Sequence, residues 1–181
     1  RAPTGVAKAA VAAAGNLAEV RAAVEAADLR LGRRIKFLVG KPGLDGHSNG
    51  AEQIAVRARD SGMDVLYEGI RLTPAQIVNA ALEESVHVVG LSILSGSHLP
   101  LVTEVMERMR AAGLDDVPVV VGGIIPDADA ATLRAAGVAR IVETADRRYR
   151  VTVGGGGPLP AKAAADLTGE LGAAVGFAAE E

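Results

Sequence analysis

The sequence has no cysteine and no tryptophan, and only two phenylalanines and two tyrosines among its 181 residues. The first absence excludes disulfide frameworks, thiolate nucleophiles and cysteine-ligated zinc or iron–sulfur sites. So few aromatic rings leave almost no platform on which nucleic-acid bases could stack, and a net charge of −3 with acids and bases intermixed supplies no basic face for a phosphate backbone. Long apolar runs are missing as well. The alanine-rich opening carries Arg1 and Lys8 and makes a poor signal peptide or membrane span. These absences lead us to expect a soluble, cytoplasmic protein with no nucleic-acid and no membrane partner. Starting at Arg1 rather than Met, the chain reads either as a fragment or processed subunit or as one with trimmed ends.

What is present is aliphatic. With 49% hydrophobic residues and 2% aromatic ones, the core has to be built from Ala, Val, Leu and Ile, as in parallel sheets covered by helices. From Leu31 onward, short β-branched runs alternate with amphipathic segments. Strands are expected over Ile35–Val39 and Asp64–Tyr67, from Val86 through "VHVVGLSIL", and over Val117–Val121 and Arg140–Val142. The segments between them read as helices over Ala51–Arg59, from Thr73 and Pro74 to Glu83, over Pro100–Ala112, and from Asp127 or Asp129 to Ala136. Such alternation implies right-handed crossovers. The expected fold is α/β: a flavodoxin-like five-stranded parallel sheet in the order 2-1-3-4-5, with helices on both faces. Residues 1–30 read as a helix or linker, 31–150 as the domain, and 151–181, with "VGGGGPLP", as a flexible tail.

In that strand order the chain reverses direction between strands 1 and 3, and ligands bind at the carboxyl ends there. The loops at that edge are "GKPGLDGHSNG" after strand 1, "SILSGSH" after strand 3 and "GGIIP" after strand 4. All three carry small residues that let a bulky, flat ligand approach the backbone. None contains the GxxxxGK[ST] phosphate loop or the GxGxxG dinucleotide fingerprint. Ser92 stands where a response regulator would need an acid, and no aromatic is available to sandwich a flavin.

One of three histidines, His47, is presented by the most glycine-rich of these loops, with Asp45 two residues before it. An imidazole can coordinate a metal through one nitrogen while the other donates to a carboxylate that fixes the ring. Lys41 has two readings: a partner for Asp45, or a solvated lysine. A single protein ligand cannot hold a bare ion, so the remaining coordination positions would have to come with the metal, as in a macrocycle.

Asp45, His47 and Gly50 match the DxHxxG motif of cobalamin-binding domains, Ser92 and Leu94 their SxL motif, and Gly122 with Gly123 their paired glycines. Over Leu31–Val142 the chain resembles the carboxyl-terminal domain of the adenosylcobalamin-dependent acyl-CoA mutases, the methylmalonyl-CoA mutase group. Ser48 and Asn49 after the histidine, where methylmalonyl-CoA mutases read Asp-Arg, are more similar to the ethylmalonyl-CoA mutase branch. The resemblance implies adenosylcobalamin bound base-off and histidine-on. His47 would be the cobalt ligand, Asp45 its hydrogen-bond partner and Lys41 the third member of the relay, with Gly43 and Gly46 keeping the loop open. It further implies Ser92 near the nitrogen of the displaced base, Leu94 against its ring, and Gly122 and Gly123 leaving room for the nucleotide. Ser95, Gly96 and Ser97 would shape the shelf under the corrin or form an ordinary polar turn. His98 would touch the corrin or be structural, and His87 would be structural.

The activity implied is isomerisation of an acyl-CoA, ethylmalonyl-CoA or methylmalonyl-CoA, within a larger oligomeric enzyme. Its acyl-CoA-binding barrel partner cannot be fitted into this length, so no catalytic residue is expected in this chain. A corrinoid module for methyl transfer is the alternative, although the roughly 30 residues before the first strand are too few for the helical bundle such modules carry. A third reading is a degenerate module that binds nothing. After "GVARI" the chain departs from the family's usual Tyr-Thr-Pro turn and closing helix, reading "VETADRRYRVTVGGGG" instead.

Overall fold

The carboxylate of Asp28 accepts the backbone N–H of Ile35 at 2.6 Å. That bond ties a helix over residues 20–31, α1, to strand β1 (Lys36–Gly40). The computed structural model describes residues 18, 20–44, 46, 49–93, 96–145 and 148–153. After β1 come α2 (Asn49–Asp60), β2 (Asp64–Tyr67), α3 (Pro74–Glu83), β3 (Val88–Ile93), α4 (His98–Ala111), β4 (Val119–Gly123), α5 (Asp127–Ala135), β5 (Arg140–Ala145) and β6 (Arg148–Val153). The sheet order is β2-β1-β3-β4-β5-β6.

The first five strands are parallel and stand in the expected order, so the reversal of direction falls between β1 and β3. The fold is α/β and flavodoxin-like. β6 goes beyond the five strands expected: it pairs antiparallel with β5 from Arg140↔Val153 to Ala145↔Arg148. It therefore extends three residues past Arg150, where the tail was expected to begin. The tail's remaining residues, 154–181, lie outside the described ones.

Side chains of successive strand residues point to opposite faces, and the two faces carry separate cores. Leu38, Val89, Leu91, Ile93, Val119 and Val121 pack under α3, α4 and α5 through Ile77, Val105, Met109 and Leu133. Phe37, Val39, Val88 and Val120 pack under α1 and α2 through Val24, Ala27, Ala51 and Ala55. The described part of the segment before the first strand is thus a packed helix rather than a linker. The Phe37 ring in this core needs space: a Cβ on Gly90 would stand 2.6 Å from its Cζ, so β3 has to be bare opposite that ring.

Element boundaries shift where backbone donors decide them. α4 begins at His98 rather than Pro100, because the first turn of a helix leaves its N–H groups unbonded and so tolerates a proline. β4 begins at Val119 rather than Val117, because the Val117 N–H turns back to the Leu114 carbonyl at 3.1 Å and Pro118 has none to give. α3 starts as expected after Thr73, whose hydroxyl accepts from the Gln76 N–H at 3.1 Å while the Gln76 side chain accepts from the Thr73 N–H at 2.9 Å. Among the described residues, no helix is long and apolar enough to cross a membrane.

Candidate functional site

The carboxyl edge of the sheet gathers three loops, and the first is pinned where it leaves β1. The Leu72 N–H donates to the Lys41 carbonyl and the Gly43 N–H to the Leu72 carbonyl, both at 3.1 Å. Pro42 and Leu72 thereby form a short parallel bridge that continues the β1–β2 pairing. Gly43 sits at φ 90°, and a Cβ there would lie 2.9 Å from Leu101 Cδ1 of α4. A residue with a Cβ would be strained at this φ and would displace the Leu101 side chain, which favours glycine here.

Lys41 is fully buried (0% exposed), which rules out the solvated reading. A buried cation is retained only when it is paired. Gly46 is exposed, while Asn49 and Gly50 form the opening of α2 rather than part of the loop. Asp45, His47 and Ser48 lie outside the described residues, as do Leu94 and Ser95.

Ser92 pairs with Gly122, and Ile93 with Gly123, across β3 and β4. By the alternation along β3, Gly90 and Ser92 lie on the α2 face, and Gly122 shares that face with Val120. Together they form a stripe of small residues, with Ser92 6% exposed. Gly123 has a different reason to be glycine. At φ 150°, a Cβ there would stand 1.8 Å from the Ile93 carbonyl oxygen, so the neighbouring strand's backbone demands a glycine whether or not a ligand is present.

After β3, Gly96 and Ser97 are exposed, and Ser97 forms no side-chain cap on α4. His98 is buried at 2%, with Nε2 at 2.5 Å from Asp129 Oδ2 of α5. The ring is thus engaged with the helix that follows the paired glycines. At the end of β2, burial and then the negative charge of Glu52 push the Tyr67 phenol above its usual 10.0, keeping it protonated and able to donate.

The sequence reading missed three contributors. Leu72 carries no polar atom that would mark it, and it acts through its backbone. Asp129 read only as the start of a helix. Arg71 reads as an ordinary loop cation, yet it occupies a left-handed backbone at φ 59°, with Nη2 3.3 Å from where a Cβ on Gly46 would be. His87, at the opposite edge of the sheet, accepts the Lys36 N–H on Nδ1 at 2.9 Å and is structural as expected.

The profile of the family described as the B12 binding domain matches residues 35–148. The chain is 65% identical over 146 residues to ethylmalonyl-CoA mutase of Cereibacter sphaeroides, covering 81% of this chain and 22% of that protein. It is 42% identical over 108 residues to the small subunit of 2-hydroxyisobutanoyl-CoA mutase of Aquincola tertiaricarbonis, covering 60% of this chain and 79% of that subunit. Among solved structures, a cobalamin-binding protein from Desulfitobacterium hafniense superposes with a TM-score of 0.52 at 26% identity, over 55% of this chain and 50% of that one. The chain spans about a fifth of the length of the ethylmalonyl-CoA mutases it matches.

Proposed function

The chain belongs to the B12 binding domain family, and from that premise we propose that it is the adenosylcobalamin-carrying part of an acyl-CoA mutase, with ethylmalonyl-CoA as the substrate of the whole enzyme. The observation that carries this reading is the 65% identity to ethylmalonyl-CoA mutase, which extends over 81% of the chain. The small subunit of 2-hydroxyisobutanoyl-CoA mutase supports a division of labour in which a separate domain or subunit holds the acyl-CoA. That partner is the acyl-CoA-binding barrel, assembled with this chain in a cytoplasmic oligomer.

The residues present fit a macrocycle with a pendant nucleotide. Three glycine-bearing loops converge at one edge, and the stripe of Gly90, Ser92 and Gly122 leaves the α2 face without bulky side chains beside that edge. When bound, the cofactor supplies the radical chemistry of carbon-skeleton rearrangement, and the protein supplies position. His47 would ligate the cobalt, and Asp45 would hold its ring. Lys41, buried at the root of the same loop, would limit the charge on Asp45. Ser92 would meet the displaced base, and Gly122 would leave room for its ribose arm. Leu94 and Ser95 would line the passage between them.

The test is a titration of hydroxocobalamin into the chain, followed by visible absorbance. The chain should bind with the spectrum of a histidine-ligated, base-off corrinoid, and His47→Ala should lose that spectrum while keeping its far-ultraviolet circular dichroism. An unchanged spectrum in the variant sinks the assignment of His47. Reconstitution with a barrel partner, assayed with ethylmalonyl-CoA against methylmalonyl-CoA, decides the substrate.

A further inference from the structure

Two described non-glycine residues adopt the left-handed backbone region: Arg71 at φ 59° and Ser85 at φ 50°. A residue with a Cβ pays free energy for this conformation and keeps it only where the surroundings impose it. At Ser85 the cause is local. The Ser85 N–H bonds the Leu82 carbonyl and the Val86 N–H bonds the Ala81 carbonyl, the paired bonds that close a helix through a left-handed residue. Arg71 terminates no helix. It lies between β2 and α3 at the carboxyl edge, and the residue after it, Leu72, is held on both sides by Lys41 and Gly43.

The pinned backbone lays the Arg71 side chain against the loop that carries His47. Its Nη2 stands 3.3 Å, and its Nε 4.0 Å, from the point a Cβ on Gly46 would occupy. Gly46 immediately precedes His47, so the guanidinium stands beside the residue next to the proposed ligand. Arg71 is exposed, and among the described residues its guanidinium has no hydrogen-bond or ion-pair partner. A left-handed backbone thus holds a fork of donors, with no partner among the described residues, at the edge where the strands end.

We propose that Arg71 is a cofactor-positioning residue whose guanidinium donates to the carbonyl oxygens of the amide side chains around the corrin perimeter. The inference rests on the reading that this chain binds cobalamin. A planar fork of donors suits carbonyl acceptors on a fixed rim. The phosphate of the nucleotide arm is the other source of acceptor oxygens, but placement argues against it. Arg71 follows β2, on the outer side of β1, whereas the stripe that would take the arm runs along β3 and β4.

The experiment compares wild type, Arg71→Gly, Arg71→Lys and Ser85→Gly in the full chain. Each form is melted without cofactor, then titrated with hydroxocobalamin and with aquocobinamide, which keeps the ring amides and lacks the nucleotide. Both glycine variants should unfold at or above the wild-type temperature, because each relieves a left-handed residue. Arg71→Gly should nevertheless bind both corrinoids about tenfold more weakly, Arg71→Lys should recover part of that loss, and Ser85→Gly should bind as wild type does. Wild-type affinity of Arg71→Gly for both probes overturns the proposal while leaving cobalamin binding by the chain intact. A loss confined to hydroxocobalamin overturns the assignment to the ring in favour of the phosphate. Failure of the wild type to bind either corrinoid refutes the underlying reading, and this inference with it.

Discussion

His98 Nε2 and Asp129 Oδ2, 2.5 Å apart, join the first turn of α4 to the first turn of α5. The loops feeding those helices are the ones that follow β3 and β4, so this contact sets the spacing of two of the three segments at the carboxyl edge. Asp129→Asn keeps the shape and removes the charge, and should cost about 1–3 kcal/mol of unfolding free energy. His98→Ala should cost more, because the ring is 2% exposed and its removal also opens a cavity. A double-mutant cycle from urea melts measures the pair directly. A coupling within about 0.5 kcal/mol of zero would show that the contact contributes nothing.

Gly123 should not tolerate a side chain. Gly123→Ala drives a methyl into the Ile93 carbonyl, 1.8 Å from the ideal Cβ position, and neither strand backbone can yield without breaking the β3–β4 ladder. We expect a loss above about 4 kcal/mol, in the range reserved for severe core defects. A urea midpoint near the wild-type value for Gly123→Ala would show that β4 has slack at this point.

Ser92→Ala removes one hydroxyl beneath the proposed base and leaves the packing nearly unchanged. Cobalamin affinity should fall by about twofold to tenfold, the worth of one hydrogen bond. Cobinamide affinity should stay as it is, because that molecule has no base to meet. Equal losses for the two corrinoids would move Ser92 away from the nucleotide.

His87 makes stability depend on pH. Burial, and then the positive charge of Arg33, lower its pKa below the ordinary 6.5; Asp28 opposes this and Lys36 adds to it. The lowering is reinforced by geometry, since Nδ1 accepts the Lys36 N–H and Nε2 is buried without a partner. Between the lowered value and 6.5 the unfolded chain takes up a proton that the folded chain refuses. Stability therefore rises with pH across that window and levels off above it. His87→Asn, which can still accept the Lys36 N–H, should flatten this part of the profile in urea midpoints taken from about pH 5 to 8. A variant with the wild-type slope would assign the dependence to other groups.

The fold was legible because its signals are local. β-branched runs of strand length, the Thr73–Pro74 start signal and helical spacing in Leu101, Val102, Val105 and Met109 each announce an element within a few residues. β6 was obscured by the glycine run directly after it, although Arg148–Val153 has a composition compatible with an edge strand. The boundaries of α4 and β4 moved because prolines and turn bonds act at element ends, where periodicity carries the least information.

Sequence alone determined the chemistry on offer: which loops carry small residues, where one imidazole sits among them, that cysteine chemistry is excluded, and that aromatic stacking has almost no platform. The tertiary structure decided what each residue is for, because side-chain roles depend on neighbours that are distant along the chain. It buried Lys41, turned His98 toward Asp129, made Gly123 a requirement of the Ile93 carbonyl, and laid Arg71 against Gly46. The last three are pairs brought together by parallel crossovers, whose geometry no local pattern encodes.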